Sequence, residues 1–340
     1  MELIIFVNIL ISYLGLYDIT SIALYVLIPI NFMAVLMFFE MKAQEMMFFV
    51  VLSAVLTFFF IYAQNTEYII LISLGLICTR VEYGRLIKYL WFYVSILLFI
   101  FILLRYPEHA LYTRGDGTVR YDLGFNNPNI LAKYAFSVII LTLAFQKKFL
   151  ALILTLVFYS LSGSRTLLYC LLLYPILMLY LQKMPVNKLI FKLPIVCAFP
   201  ILTILSVLLA EYSKEYVFID VLLSFRPMHW INYLEAYPIS NFGYTWEALD
   251  YFVLDNSFLQ ILVRLGLSGI IVFSLFYYWL LNSLLKLGNV KLLFCVIATL
   301  IYSVFENMLK YPLFNISTVL SLVYINSVLF ERNKNVSNQA

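Results

Sequence analysis

The sequence predicts an all-α integral membrane protein of about twelve transmembrane helices, and three observations carry that expectation. Hydrophobic residues make up 64% of the chain and charged residues 12%, with a mean hydropathy of +0.97, which is more apolar surface than a single soluble core can hide. The apolar residues gather in runs of roughly 17 to 25, the length that crosses a bilayer as a helix. Basic residues sit between these runs and form no exposed stripe, so the net charge of +4 does not point to nucleic acid.

Taken in order, five spans are expected at about 2–16, 20–39, 46–63, 67–79 and 87–104. The first has Glu2 where a signal peptide carries basic residues and lacks a small-residue cleavage site, so it reads as a retained span. A polar loop, 105–127, follows. Spans at 128–146, 149–161, 166–182 and 193–210 lead to a larger loop, 211–255. The last three are 257–285, 291–308 and 313–330, the first of them long enough to include an interfacial helix before a true span. No internal repeat or low-complexity linker divides the chain, so 1–340 is expected to be one membrane domain. Cys78, Cys170, Cys197 and Cys295 all lie in apolar runs with no CxxC or Cys/His cluster, which supports neither a disulfide framework nor a metal site.

Orientation follows from the cations. With the N-terminus in the cytoplasm, one side collects Lys42, Arg80, Arg85, Lys88, Lys147, Lys148, Lys183, Lys188, Lys192, Lys286, Lys291, Arg332 and Lys334, as the positive-inside rule requires. Both termini are then inside and both long loops outside. The outer side carries Arg105, Arg114, Arg120, Arg165, Arg226 and Arg264 with Lys133, Lys214 and Lys310. Lysine suffices for topology. Arginine presents a planar fork matched to phosphate or carboxylate, so the change in residue type marks a site.

Four stretches on that side could carry chemistry. In Arg120–Lys133, Asn127 before Pro128 reads as a capped helix start, whose free N–H groups attract anions; Asn129 and Lys133 are four residues apart and share a face. An ordinary cap beside a basic loop explains the same residues. Ser162-Gly-Ser-Arg-Thr166 opens the next inward helix with Ser164 as a cap, and Arg165 either binds an anion or snorkels to the interface. In Ser224-Phe-Arg-Pro-Met-His-Trp230, Pro227 places Arg226 and His229 within one helical turn. Glu235, Tyr237, Tyr244, Trp246, Glu247 and Tyr251 nearby suit a sugar, with an interfacial aromatic belt as the competing account. Asp255-Asn-Ser-Phe-Leu259 begins a further helix, with Asp255 either its N-cap or a general base. Arg264, two turns on, needs a cavity or an acid, and Glu306 is the candidate partner. No GxxxxGK[ST], dinucleotide fingerprint or HExxH occurs, so nucleotide hydrolysis and zinc chemistry find no local support.

In this order, Gly124-Phe-Asn-Asn-Pro-Asn-Ile-Leu-Ala132, Ser162–Thr166, Arg226, Asp255–Leu259 and Arg264-Leu-Gly-Leu-Ser-Gly269 resemble the O-antigen polymerase and ligase superfamily of bacterial envelope glycosyltransferases. The resemblance covers roughly residues 105 to 270. It implies a GT-C-like membrane fold with a large outer loop, at the outer face of the bacterial plasma membrane, using undecaprenyl-diphosphate-linked oligosaccharide and no metal or other cofactor. It also implies a chain-length regulator and a flippase as protein partners. Ligases of the superfamily carry His-Asn where this chain has Asp255-Asn256, which favours an O-antigen or capsular polysaccharide polymerase over a ligase. A lipid-linked oligosaccharide flippase is the reading from another class. On the polymerase reading Asp255 is the base with His229 in reserve, and Arg120, Asn129, Lys133, Arg165, Arg226 and Arg264 hold the diphosphate.

Overall fold

In a computed structural model, which describes residues 5–7, 10, 81–106, 110–113, 117, 119–125, 127–183, 189–216, 218, 223, 225–244, 254–311 and 313–337, the chain is mostly helical. The spans expected at 20–39, 46–63 and 67–79 lie outside these residues, as do all of the first span but residues 5–7 and 10, and Arg114, Trp246, Glu247 and Tyr251.

The first long helix, α1 (Tyr83–Arg105), buries one stripe, Leu86, Leu90, Val94 and Leu98, and turns Phe92, Phe99 and Leu103 outward. Next comes an antiparallel hairpin, β1 (Leu111–Thr113) and β2 (Val119–Tyr121), with Tyr112 opposite Arg120. It is the departure from an all-helical chain among the described residues. The alternation of a strand leaves Val119 and Tyr121 exposed and buries Arg120 between them.

Helix α2 (Pro128–Ala144) starts as its sequence dictates: Pro128 occupies the first turn and the Asn127 side chain accepts from the Asn129 backbone N at 2.8 Å. It is apolar on every side, so it is buried on nearly every side. A tight turn leads to α3 (Lys148–Ser162), ending at Gly163, and α4 (Arg165–Lys183) follows. The expected span 193–210 is two helices, α5 (Leu189–Val196) and α6 (Ala198–Tyr212), bent by 66° at Cys197, where Pro200 has no N–H to offer the Val196 carbonyl.

Helix α7 (Arg226–Ala236) is amphipathic. Pro227, Trp230, Ile231 and Leu234 recur at helical spacing and are buried, whereas His229 and Glu235 stay exposed. The longest helix, α8 (Ser257–Lys286), is broken at Gly266, so a short segment precedes the long one, as its excess length predicts. The last two are α9 (Val290–Phe305) and α10 (Ile316–Ser337). Helix α9 packs against α2, α4, α6, α8 and α10 and forms the hub of the bundle. Among the described residues, α1 and α8 are long and apolar enough to cross a membrane, and the bent α5–α6 pair is a third if counted as one span.

Backbone hydrogen bonds lost at the Gly266 break are recovered from the loop after α7. Leu267 N donates to Ser240 O, Ser268 N to Asn241 O, and Tyr244 N to Val263 O, each at 3.0 Å. Gly243 and Gly266, both at positive φ, let the two backbones touch; a Cβ on either would strike main-chain atoms of the other segment.

Candidate functional site

Four segments far apart in sequence meet where α9 ends. Glu306, at the C-cap of α9, is 1% exposed. Its Oε1 lies 2.7 Å from Nη2 of Arg226 and its Oε2 3.4 Å from Nζ of Lys133. Nη1 of Arg226 also donates to the Phe305 carbonyl, so the guanidinium spans the last carbonyl of α9 and the carboxylate beyond it. Trp230, fully buried one turn along α7, packs its ring toward Phe305 and fixes the helix that presents Arg226.

Asp255 borders the same cluster. It sits in the loop just before α8, and the structure takes from it the cap role that sequence allowed. Asn256 is the N-cap: its Oδ1 accepts from Phe258 N and Leu259 N, each at 3.0 Å, and its Nδ2 donates to Ser206 Oγ at 3.0 Å. The Asp255 carboxylate is thereby free of a capping duty. Burial raises its pKa above the usual carboxylate value and the negative charge of Glu306 adds to the rise, while Arg226, Lys133 and His229 pull the other way. Burial opposes the charge on Arg226, but Glu306 and Asp255 hold its pKa above the ordinary arginine value. Ser257 clips the cluster together: its hydroxyl donates to the Glu306 carbonyl at 3.0 Å and accepts from Met308 N at 2.8 Å.

Lys133, Arg226 and Asp255 are thus gathered in one place, with His229 on the exposed face of α7 at its edge. Arg120 and Asn129 form an adjoining group, because Asn129 stands one turn before Lys133 on α2. Arg120 reaches from β2 to donate through Nε to the Ser162 carbonyl, at the end of α3, and through Nη2 to Asn129 Oδ1 at 2.7 Å. Those contacts give Arg120 a structural duty, closing a helix C-terminus with positive charge. Arg165 is exposed at the start of α4. Arg264 is buried in the first part of α8, where its charge acts on Tyr233 of α7. The expected Arg264–Glu306 pairing is corrected: both oxygens of Glu306 are engaged by Arg226 and Lys133.

Comparison with family models, curated proteins and solved structures gives no match.

Chemically, the arrangement offers one buried and one half-buried carboxylate and two cations, with an imidazole at the rim. Among the described residues no three His, Cys, Asp or Glu side chains are grouped as metal ligands. Tyr233, Tyr237 and Tyr244 pack ring against ring, the first pair tilted and the second edge to face, at 5.0 and 5.6 Å between successive rings, beside the broken part of α8. Sequence singles out Glu306 as an acid in need of a cation, since it is the only Asp or Glu between Asn256 and Phe330, but pairs it with Arg264 where the structure has Arg226 and Lys133. A lone carboxylate ending an apolar run calls for a partner close by. Nothing in the sequence names which cation that is.

Proposed function

We propose that this chain is a polysaccharide polymerase of the bacterial envelope, transferring a glycan from undecaprenyl diphosphate to a lipid-linked repeat unit. In this reading it is a twelve-span, GT-C-like enzyme of the plasma membrane with both termini in the cytoplasm, and the Glu306 end of the bundle faces outward. The observation that carries it is the Asp255 carboxylate, relieved of capping by Asn256 and set beside Arg226 and Lys133. A half-buried carboxylate with a raised pKa is suited to accept a proton. Two adjacent cations are suited to a phosphate leaving group.

The reaction then runs in one site. The acceptor hydroxyl gives its proton to Asp255 as its oxygen bonds to the anomeric carbon. The bond from that carbon to the donor phosphate oxygen breaks, and the electron pair leaves on the diphosphate. Arg226 and Lys133 stabilise that charge. Arg165 and Arg264 extend the phosphate-binding surface, while Arg120 acts by holding Asn129 in place. A chain-length regulator and a flippase are the protein partners this role calls for.

The test is chain extension by the purified protein, supplied with lipid-linked repeat units from the native host and followed on gels. A ladder of lengthened chains is expected. Unchanged repeat units, with a protein that is folded by thermal unfolding, would overturn the reading.

A further inference from the structure

The charge count at the Glu306 cluster raises a question that the polymerase reading leaves open. By formal charge Asp255 and Glu306 are two anions and Lys133 and Arg226 two cations, so the four groups balance. Both cations already bind an oxyanion, one carboxylate oxygen each, from opposite sides. A diphosphate entering here adds negative charge beside two carboxylates, and it seeks the same two donors.

We infer that Glu306 is a built-in stand-in for the substrate phosphate, occupying the Arg226–Lys133 anion site until a phosphate of the lipid diphosphate displaces it. The inference rests on the diphosphate-donor reading and deepens it by naming the two donors and their internal competitor. The exchange asks nothing of the backbone. The Glu306 backbone is already extended, at φ −146 and ψ 150, and its carbonyl is tied to Ser257, so only side-chain torsions need change. Arg226 keeps the Phe305 carbonyl as a fixed partner during the exchange, which leaves its second amino group to pass from carboxylate to phosphate. Glu306 acts here as a positioning residue: it keeps two cations ordered and desolvated, at the expense of affinity.

The consequence is measurable without any transfer reaction. A site occupied by its own carboxylate for 90 to 99% of the time binds a competing anion about ten- to a hundredfold more weakly than the vacated site. Glu306→Gln is therefore expected to bind inorganic pyrophosphate about ten- to a hundredfold more tightly than the parent chain, measured by calorimetry on protein in nanodiscs. A residue whose carboxylate neither competes with nor repels the anion would leave binding unchanged or weaken it when replaced. Because Glu306→Gln leaves two buried cations without their acid and can unfold, the comparison is repeated in a Lys133→Met background. There the double variant, Lys133→Met with Glu306→Gln, carries no second unpaired cation, and it is expected to bind more tightly than Lys133→Met alone. Tightening in either comparison supports the exchange. Binding by the parent chain with no tightening in either comparison overturns the inference and leaves the diphosphate reading standing. No binding by any of the four proteins at millimolar pyrophosphate overturns both.

Discussion

Asp255 and Asn256 are neighbours with opposite duties, and exchanging each in turn separates chemistry from folding. Asp255→Asn removes one charge at constant volume. The cap of α8 stays in place, since Asn256 already accepts from Phe258 N and Leu259 N. Burial, and then Glu306, lift the Asp255 pKa above its ordinary 3.8. The folded state therefore holds this proton more tightly than the unfolded chain, so the group favours folding below the unfolded pKa and that contribution is lost as pH rises through the folded pKa. Above the folded pKa the ionised carboxylate works against folding, and there Asp255→Asn is expected to unfold at the same temperature as the parent or higher. Its advantage should shrink as the pH falls toward the unfolded value. Turnover is expected to drop by about two to four decades, because the proton acceptor is gone. Asn256→Ala should do the reverse. It loses a cap worth about 1 kcal/mol and a buried hydrogen bond to Ser206 worth about another. That makes about 2 kcal/mol of stability, with most turnover per folded molecule retained. The assay is thermal unfolding and chain extension on the same nanodisc preparations from pH 5 to 8. An Asp255→Asn protein that melts well below the parent, yet extends chains normally per folded molecule, would refute the reasoning and return Asp255 to a structural role.

Three further outcomes are expected. Arg226→Lys keeps the charge but cannot hold Phe305 and Glu306 together, so chain extension should fall by roughly one to two decades, the equivalent of about 1.5 to 3 kcal/mol; Arg165→Lys, made in parallel, should match it if Arg165 binds phosphate and stay near the parent if it only anchors α4. Gly243→Ala and Gly266→Ala should each destabilise the protein by about 1 to 3 kcal/mol, read from unfolding midpoints, because positive φ and the opposing backbone both exclude a Cβ. Arg120→Met should lower stability by about 1.5 to 3 kcal/mol through the lost charged contacts to Ser162 and Asn129, and the pyrophosphate affinity of the folded fraction should stay within about twofold, as calorimetry would show.

What the sequence by itself determined was local. Helix content and apolar outer faces follow from run length and composition, because hydrocarbon-length apolar runs satisfy their backbone only as helices. The cap at Asn127 and Pro128 and the helix opened at Pro227 follow from backbone preferences that act within a few residues. The short segment ahead of the Gly266 break was legible as excess length in the run after Asp255. The hairpin at 111–121 was not legible, since three-residue strands in a polar loop leave no period to read. Nor was the choice between Asp255 and Asn256 as the cap: both residue types cap well, and only the Ser206 hydroxyl, fifty residues away on α6, settles it. The pairing of Glu306 is of the same kind. Sequence placed an acid at one end of an apolar run and cations at the starts of others, but a carboxylate binds whichever cation the packing brings within about 4 Å. Helices α2, α7 and α9 converge so that Lys133 and Arg226 are those cations, while Arg264 is buried in the first part of α8. Charge pairing across a bundle is decided by tertiary packing, because no local rule fixes which helix ends come to lie side by side.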